Sequence, residues 1–90
     1  MEISDVFKKY SRRKVKLNIR TLDDDYILLE GSESSLKFLG ELLIAQAEFK
    51  KDCGYQMAPN GAGSRWFDEK SERGIYIHRL PCLDKQKRGK

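Results

Sequence analysis

The sequence predicts an α+β fold in two layers: a four-stranded, mostly antiparallel sheet with one amphipathic helix packed on one face, in the order β-β-α-β-β. Residues 32–52 have the apolar spacing of a helix, and residues 14–21 alternate strictly between apolar and polar side chains, as a half-buried strand does. Strand pairs on either side of one amphipathic helix are typical of a two-layer α+β domain. We expect the 90 residues to form a single domain with its core at 14–83 and with basic ends, 1–13 and 84–90, that are dispensable for folding.

The first third of the chain predicts a short helix and then a β-hairpin. Residues 4–13 can form a helix that Ser4 caps, although so short a helix is marginal alone. One side of this helix is apolar: Val6, Phe7 and Tyr10. Residues 14–21 and 26–30 then predict two strands, and the aspartates at 23–25 supply the turn that joins them.

The helix at residues 32–52 is the element that the other elements must cover. Its apolar face is broad and lies opposite Lys37 and Glu41. The residues of this face are Leu36, Phe38, Leu39, Leu42, Leu43, Ala45, Ala47 and Phe49. Ser32 can cap the start of the helix, and Gly54 can end it. Ordering some twenty residues costs at least about 20 kcal/mol, which exceeds the roughly 9–18 kcal/mol from burying six large side chains, so the helix must dock on a sheet.

Two more strands are expected after the helix. Residues 55–58 predict a short strand that Pro59 ends, and residues 75–80 predict a second strand that Pro81 ends. Residues 60–64 between them resemble a phosphate-binding loop only in composition, since such a loop needs a strand before it and a helix after it. A turn explains the same glycines.

Charge is distributed unevenly along the chain, although the net charge is only +4. Residues 1–20 carry seven basic and two acidic side chains and residues 84–90 carry four and one, whereas residues 21–83 carry seven and eleven. Basic tails attract nucleic acid non-specifically, yet a charged C-terminus also serves solubility. With 36% charged residues, no long apolar run and no signal-peptide pattern, the chain predicts a cytoplasmic protein without membrane association.

The sequence contains no familiar metal-ligand or catalytic pattern. His78 is the only histidine, and Cys53 and Cys82 form no CxxC pair. Because thiols of cytoplasmic proteins stay reduced, we expect both cysteines to be free. The carboxylates at 23–25 lack the spacing of a calcium loop, so a turn is the simpler interpretation. We therefore predict no catalytic, cofactor-binding or metal-binding residues, and we do not expect an enzyme.

The predicted sheet has one face against the helix and one open face. The inward residues are expected to be Val15, Leu17, Ile19, Ile27, Leu29, Met57, Ile75 and Ile77, and period two then turns Lys16, Asn18, Arg20, Tyr26, Leu28, Glu30, Gln56, Tyr76, His78 and Leu80 outward. Aromatic residues beside basic ones stack bases in several RNA-binding modules, but they also suit a protein interface, or a face that is simply solvated. Trp66, in the glycine-rich loop, is either a core residue or an interface anchor. The candidate partner-binding residues are Tyr26, Leu28, Arg65, Trp66, Tyr76, His78 and Leu80.

Four stretches of the chain resemble small bacterial immunity proteins of polymorphic toxin systems. These are the strand, glycine and serine at 26–32, the leucine-spaced helix at 36–43, and the strand segments at 54–57 and 75–77. The resemblance implies a non-enzymatic protein that neutralises a toxin by binding it. No functional residue is transferred from the family.

Two functions therefore compete. The first is a non-enzymatic protein-binding module, in the sharpest form an immunity protein that binds a toxin stoichiometrically. The alternative is a small nucleic-acid-binding module that uses the aromatic and basic sheet face together with the basic termini. Binding by such a module would weaken steeply with salt.

Overall fold

The computed structural model describes residues 2–82 of the chain. Within this range the elements are α1 (Ile3–Tyr10), β1 (Asn18–Thr21), β2 (Ile27–Glu30), α2 (Glu33–Glu48), β3 (Gly54–Met57), a single turn of 3-10 helix (Ser64–Trp66) and β4 (Ile75–His78). The α+β class and the four strands are confirmed. In the described part of the chain, neither helix has the length and apolar character needed to cross a membrane.

The strands form two separate antiparallel pairs, β1 with β2 and β3 with β4, so the prediction of one four-stranded sheet is wrong. The second edge of β1 is already occupied by the segment at 66–73. The N–H of Leu17 donates to the Trp66 carbonyl at 2.9 Å, and the Leu17 carbonyl accepts from the Asp68 N–H at 2.8 Å. The Ile19 carbonyl accepts from two further N–H groups of this segment, each at 3.0 Å. No edge of β1 remains to which β3 or β4 could add.

Helix α2 begins where the sequence predicted and ends earlier. The Ser32 side chain accepts a hydrogen bond from the Ser35 N–H at 3.1 Å, which satisfies one free donor of the first turn. We predicted that Gly54 ends the helix, but α2 ends at Glu48 and Gly54 begins β3. Pairing with β4 explains the difference, because it places the Gly54 backbone in a strand ladder.

Only part of the predicted apolar face of α2 is buried. The buried residues of the helix are Ser35, Phe38, Leu39, Leu42, Ala45 and Gln46. Leu36 and Leu43, which we expected to face the sheet, are 44% and 48% exposed. Helix α2 packs against α1 and β4 and not against a continuous sheet. The elements that pack against α2 therefore bury fewer residues than its apolar face contains.

Helix α1 belongs to the hydrophobic core, which we expected to lie within residues 14–83. Val6 and Tyr10 are buried, and the Phe7 ring stacks on the Trp66 ring with centroids 5.6 Å apart. Burying a large apolar side chain contributes about 1.5–3 kcal/mol. Loss of α1 would therefore remove a large share of the stability of so small a domain.

The start of α1 also differs from the prediction. We expected Ser4 to cap this helix, but α1 begins at Ile3, and the Glu2 N–H donates to the Asp5 carboxylate at 2.9 Å. A carboxylate in the first turn lies where the helix dipole favours negative charge. The basic segment 84–90 lies outside the described residues, and its predicted role stays a prediction.

The two strand pairs follow the predicted alternation to different extents. In β3 and β4, Met57 is buried while Gln56, Tyr76 and His78 are exposed, as predicted. In β1 and β2, Ile19 lies opposite Leu29 and is buried, but Leu29 is 51% exposed. The predicted faces are therefore wrong in β2, where Leu28 is half-buried while Ile27 and Leu29 are exposed, and Asn18 of β1, predicted to point outward, is buried. The core covers β1 and stops before β2.

The glycine-rich segment after β3 forms a turn. The Ala58 N–H donates to the Ala62 carbonyl at 2.8 Å, which closes the loop. Gly63 has a φ of 79°, in the left-handed region, and a Cβ at this position would lie 2.6 Å from the Cβ of Met57. The position therefore needs glycine for its backbone angle and for its close contact. The loop is followed by a single turn of 3-10 helix and not by an α-helix. The strand-loop-helix arrangement of a phosphate site is therefore not formed here.

One polar network joins the two helices. The Tyr10 hydroxyl donates to the Glu41 carboxylate at 2.7 Å, and the Lys9 ammonium lies 2.9 Å from the same carboxylate. The Tyr10 hydrogen bond, followed by the Lys9 hydrogen bond, lowers the pKa of Glu41, and the same Tyr10 hydrogen bond raises the pKa of the phenol. The ionised carboxylate is thus the form that the fold stabilises.

We expect this network to make stability depend on acid pH. Because the pKa of Glu41 is lower in the folded state, its stabilisation is complete above the ordinary glutamate pKa of about 4.3 and is lost as the pH falls through the folded-state value. Glu41→Gln should lower the free energy of unfolding by about 1 kcal/mol near neutral pH. The difference from wild type should shrink as the pH falls below the ordinary glutamate pKa.

Urea denaturation over this pH range measures both effects. Glu48→Gln is the matched control, since Glu48 is an exposed acid on the same helix, and it should change little. An unchanged difference between wild type and Glu41→Gln across the whole range would contradict the assigned network.

Candidate functional site

The outer edge of β2 is a free strand edge. In an antiparallel pair, opposite residues alternate between those that exchange backbone hydrogen bonds and those that do not. The Leu22 N–H donates to the Tyr26 carbonyl at 2.9 Å, which makes Leu28, two residues further along β2, a bonded position with Arg20. The backbone groups of Ile27 and Leu29 must therefore point away from β1.

A second observation confirms which opposite residues of β1 and β2 exchange backbone hydrogen bonds and which do not. The Ile19 N–H donates to the Ser71 hydroxyl at 2.8 Å, and the Ile19 carbonyl accepts from Glu72. The backbone of Ile19 thus faces away from β2, as expected when Ile19 and its opposite residue Leu29 form a non-bonded pair. Among residues 2–82 no other strand pairs with β2. Ile27 and Leu29 therefore present two N–H and two carbonyl groups to solvent.

The side chains along this edge are apolar and exposed. Ile27 is 66% exposed, Leu29 is 51% exposed and Tyr26, just before the strand, is 64% exposed. An exposed edge strand with aliphatic side chains is a liability that proteins usually cover or protect with charge or proline. Here neither a lysine nor a proline interrupts β2. We call Tyr26, Ile27 and Leu29, with the backbone of the last two, the β2 edge.

An acidic turn precedes the β2 edge. The carboxylate of Asp23 accepts hydrogen bonds from the N–H groups of Asp25 at 2.8 Å and Tyr26 at 3.1 Å, so the turn that we predicted here is confirmed and is held by its own side chain. Asp23, Asp24 and Asp25 are all exposed. The turn thus places three carboxylates at one end of the β2 edge.

The seven predicted site residues do not form one surface. Tyr26 and Leu28 lie on or beside β2, where Leu28 is half-buried. Tyr76, His78 and Leu80 lie on or after β4 in the other sheet. The Tyr76 and His78 rings stack with centroids 5.9 Å apart, and Leu80 is 76% exposed. The β4 residues thus form a second exposed surface.

Trp66 lies in the core, which is one of the two roles that we predicted for it. It is 6% exposed, and its ring stacks on Phe38 with centroids 4.5 Å apart. Arg65 lies over the indole, with its guanidinium carbon 4.1 Å from the ring centroid, and also donates to the Ser11 carbonyl at 3.1 Å. Both residues make contacts within the molecule, although Arg65 stays exposed.

The continuous aromatic and basic face that the nucleic-acid alternative requires is not assembled. Arg20 lies in β1, whereas Tyr76 and His78 lie in the other sheet. The Lys16 ammonium donates to the Arg65 carbonyl at 3.1 Å. A cleft of about 350 Å³ beside Lys16 mixes both signs of charge. Its charged lining residues are Lys14, Lys16, Lys70, Glu30 and Asp68.

The fold brings the two cysteines together, which corrects the prediction of free thiols. Cys53 precedes β3 and Cys82 follows β4, and the two form a disulfide with a Cα–Cα distance of 5.6 Å. Antiparallel pairing explains the contact, because Gly54 lies opposite His78 and the ends of the two strands meet. His78 is their neighbour: the nearest ligand atoms of Cys53, His78 and Cys82 all lie within 4.8 Å of one another.

Sequence analysis missed Ile27 and Leu29 as surface residues and missed the Cys53, His78 and Cys82 cluster. Alternation identifies which residues share a face, but not which faces another element covers. The cluster depends on strand register, which no local spacing reveals. Comparisons with protein-family models, curated proteins and solved structures find no match to this chain. The function must therefore be argued from this geometry.

The free edge of β2 makes a direct prediction for amide hydrogen exchange. The amides of Ile27 and Leu29 should exchange nearly as fast as in an unfolded chain, whereas Leu28, bonded to β1, should exchange at least about tenfold more slowly. Exchange measured by NMR at each residue separates these cases. Protection of Ile27 and Leu29 equal to that of Leu28 would mean that the edge is covered.

Proposed function

We propose that this protein is a non-enzymatic binding module that associates stoichiometrically with another protein through the β2 edge. The observation that carries the proposal is the combination of unpaired backbone groups with exposed Ile27 and Leu29 on one strand. Addition of a partner strand to such an edge is a common mode of peptide and protein recognition. We further propose that the protein acts in the cytoplasm.

The expected energies support strand addition combined with side-chain burial. Four new backbone hydrogen bonds contribute about 4 kcal/mol in total, and micromolar affinity requires about 8 kcal/mol. Burial of Ile27 and Leu29 adds about 1.5–3 kcal/mol each. Association also costs rigid-body entropy, so a useful affinity needs further contacts. The exposed Tyr26 side chain, just before β2, can supply one of them. The backbone thus sets the orientation and the side chains supply much of the affinity.

The acidic turn defines the charge of the preferred partner. Asp23, Asp24 and Asp25 favour a partner whose added strand is flanked by lysine or arginine, and this charge pairing speeds encounter more than it raises affinity. A basic nuclease toxin has this character. Together with the resemblance to immunity proteins, the acidic turn supports toxin neutralisation as the biological role that we propose.

Leu29→Pro tests the proposal at the backbone. Proline removes the outward N–H of residue 29, and strand edges tolerate proline at such a position because the lost N–H faced solvent. We expect this variant to fold and to bind the partner at least tenfold more weakly, which corresponds to about 1.4 kcal/mol. Leu29→Ala is the matched comparison, since it keeps the N–H and loses only side-chain burial, so it should bind more tightly than Leu29→Pro.

The partner is obtained by affinity capture with the wild-type chain, purified and titrated calorimetrically against each variant. Tyr76→Ala and Leu80→Ala serve as controls on the second exposed surface and should bind normally. Loss of binding in these two variants with normal binding by Leu29→Pro would overturn the assignment to β2. Capture of RNA or DNA alone, abolished by replacing Lys16 and Arg20, would favour the nucleic-acid alternative.

A further inference from the structure

The cluster of Cys53, His78 and Cys82 has the composition of a transition-metal site. Two cysteine sulfurs and one imidazole are ligands that soft and borderline ions such as Zn²⁺ prefer. Tetrahedral bonds of about 2.3 Å to sulfur and 2.0 Å to nitrogen place ligand atoms roughly 3.5–4 Å apart. The three ligand atoms already lie within 4.8 Å of one another. The two sulfurs are bonded to each other in the disulfide, so reduction must let them separate to this spacing, whereas the imidazole already lies close to both.

We propose that, when the Cys53–Cys82 disulfide is reduced, these two cysteines and His78 bind one Zn²⁺ ion, with water in the fourth position. The elements that position the ligands are independent of the ion. The Arg79 N–H donates to the Cys53 carbonyl at 2.7 Å, so the segment after β4 is held beside the segment before β3. The Tyr76 ring supports the imidazole by stacking, at 5.9 Å between centroids. The inference does not depend on the proposed function.

The two states of the site exchange through balanced chemistry. A dithiol reductant transfers two electrons and two protons to the disulfide; the S–S bond breaks, and the reductant becomes a disulfide. Cys53 and Cys82 are then thiols. Zn²⁺ binds their thiolates, and the two protons are released to solvent. Low pH therefore opposes metal binding. A disulfide oxidant that accepts two electrons from the thiolates is itself reduced to a dithiol, re-forms the Cys53–Cys82 bond and releases the ion.

The consequence is that the same two segments are joined in both redox states. In oxidising surroundings the disulfide links the start of β3 to the segment after β4. In the cytoplasm, thiol systems keep cysteines reduced, so the disulfide would be lost. The metal ion then holds the same ends together, because its ligands come from both segments. The exposed imidazole of His78 leaves the site open to solvent.

The test uses the full chain without a histidine tag, reduced with a dithiol that is removed before measurement. Zn²⁺ is titrated in competition with a chromophoric chelator, and Co²⁺ absorption reports the ligands, since thiolate coordination gives an intense charge-transfer band. We expect one ion per chain in the reduced protein. We expect no measurable binding in the oxidised protein, where the sulfurs are not available as thiolates.

His78→Gln separates a metal site from a simple cysteine pair. This variant keeps both cysteines, and loss of even an outer-shell partner weakens metal binding by about 10- to 100-fold. We expect His78→Gln to weaken Zn²⁺ binding by at least about 100-fold and to change the Co²⁺ spectrum. Gln56→Ala is the matched control, because Gln56 is an exposed residue opposite Tyr76 on the same strand pair. It should bind as wild type does.

Trp66 emission shows whether each reduced sample is folded. If reduction unfolds the chain, Zn²⁺ should restore the emission of the oxidised wild type but not that of His78→Gln. Equal affinity in wild type and His78→Gln, or no Zn²⁺ binding by the reduced wild type, would overturn the proposal.

Discussion

The stacking of Trp66 on Phe38 is the contact on which the other parts of this structure depend. Their centroids are 4.5 Å apart, and both side chains are almost fully buried. Phe7 stacks on the same indole, and Tyr10 meets Phe38 edge-on at 5.4 Å. One aromatic cluster thus joins α1, α2 and the loop after β3. Each aromatic pair of this kind stabilises the fold by about 0.5–1.5 kcal/mol beyond the contribution of its buried area. Since the chain is short, few other contacts could replace this cluster.

The position of Trp66 also determines which edge of the first strand pair is free. Because the Trp66 carbonyl accepts from the Leu17 N–H, the loop that carries the indole lies along β1 and occupies its second edge. The pair of β3 and β4 therefore cannot add to β1, and within residues 2–82 it does not pair with β2 either. The same core covers Ile19 and ends before Leu29. The exposed β2 edge, which supports the proposed binding function, is thus the one edge of this strand pair that the tryptophan loop leaves free.

Much of the secondary structure could be predicted from periodicity. The Ser32 cap, the second half of the strand predicted at 14–21 and most of the strand predicted at 75–80 follow from local chemistry that packing did not override. The arrangement of these elements could not be predicted in this way. Nothing in Arg65, Trp66 or the glycines around them reveals that this loop, and not a strand, pairs with β1. The apolar residues of α2 showed which face is apolar but not how much of it is covered, and in β2 the half-burial of Leu28 with exposed Ile27 and Leu29 reverses the predicted faces. The approach of the two cysteines required the register of β3 and β4.

Nuclear Overhauser contacts of the Trp66 indole test this account most directly. We predict contacts from the indole protons to the rings of Phe7 and Phe38, together with cross-strand contacts of β2 to β1 alone among residues 2–82. Contacts between the backbone of β2 and that of β3 or β4, with an indole that lacks contacts to both phenylalanines, would show a single sheet and an exposed tryptophan. That result would contradict the aromatic core and the free β2 edge together.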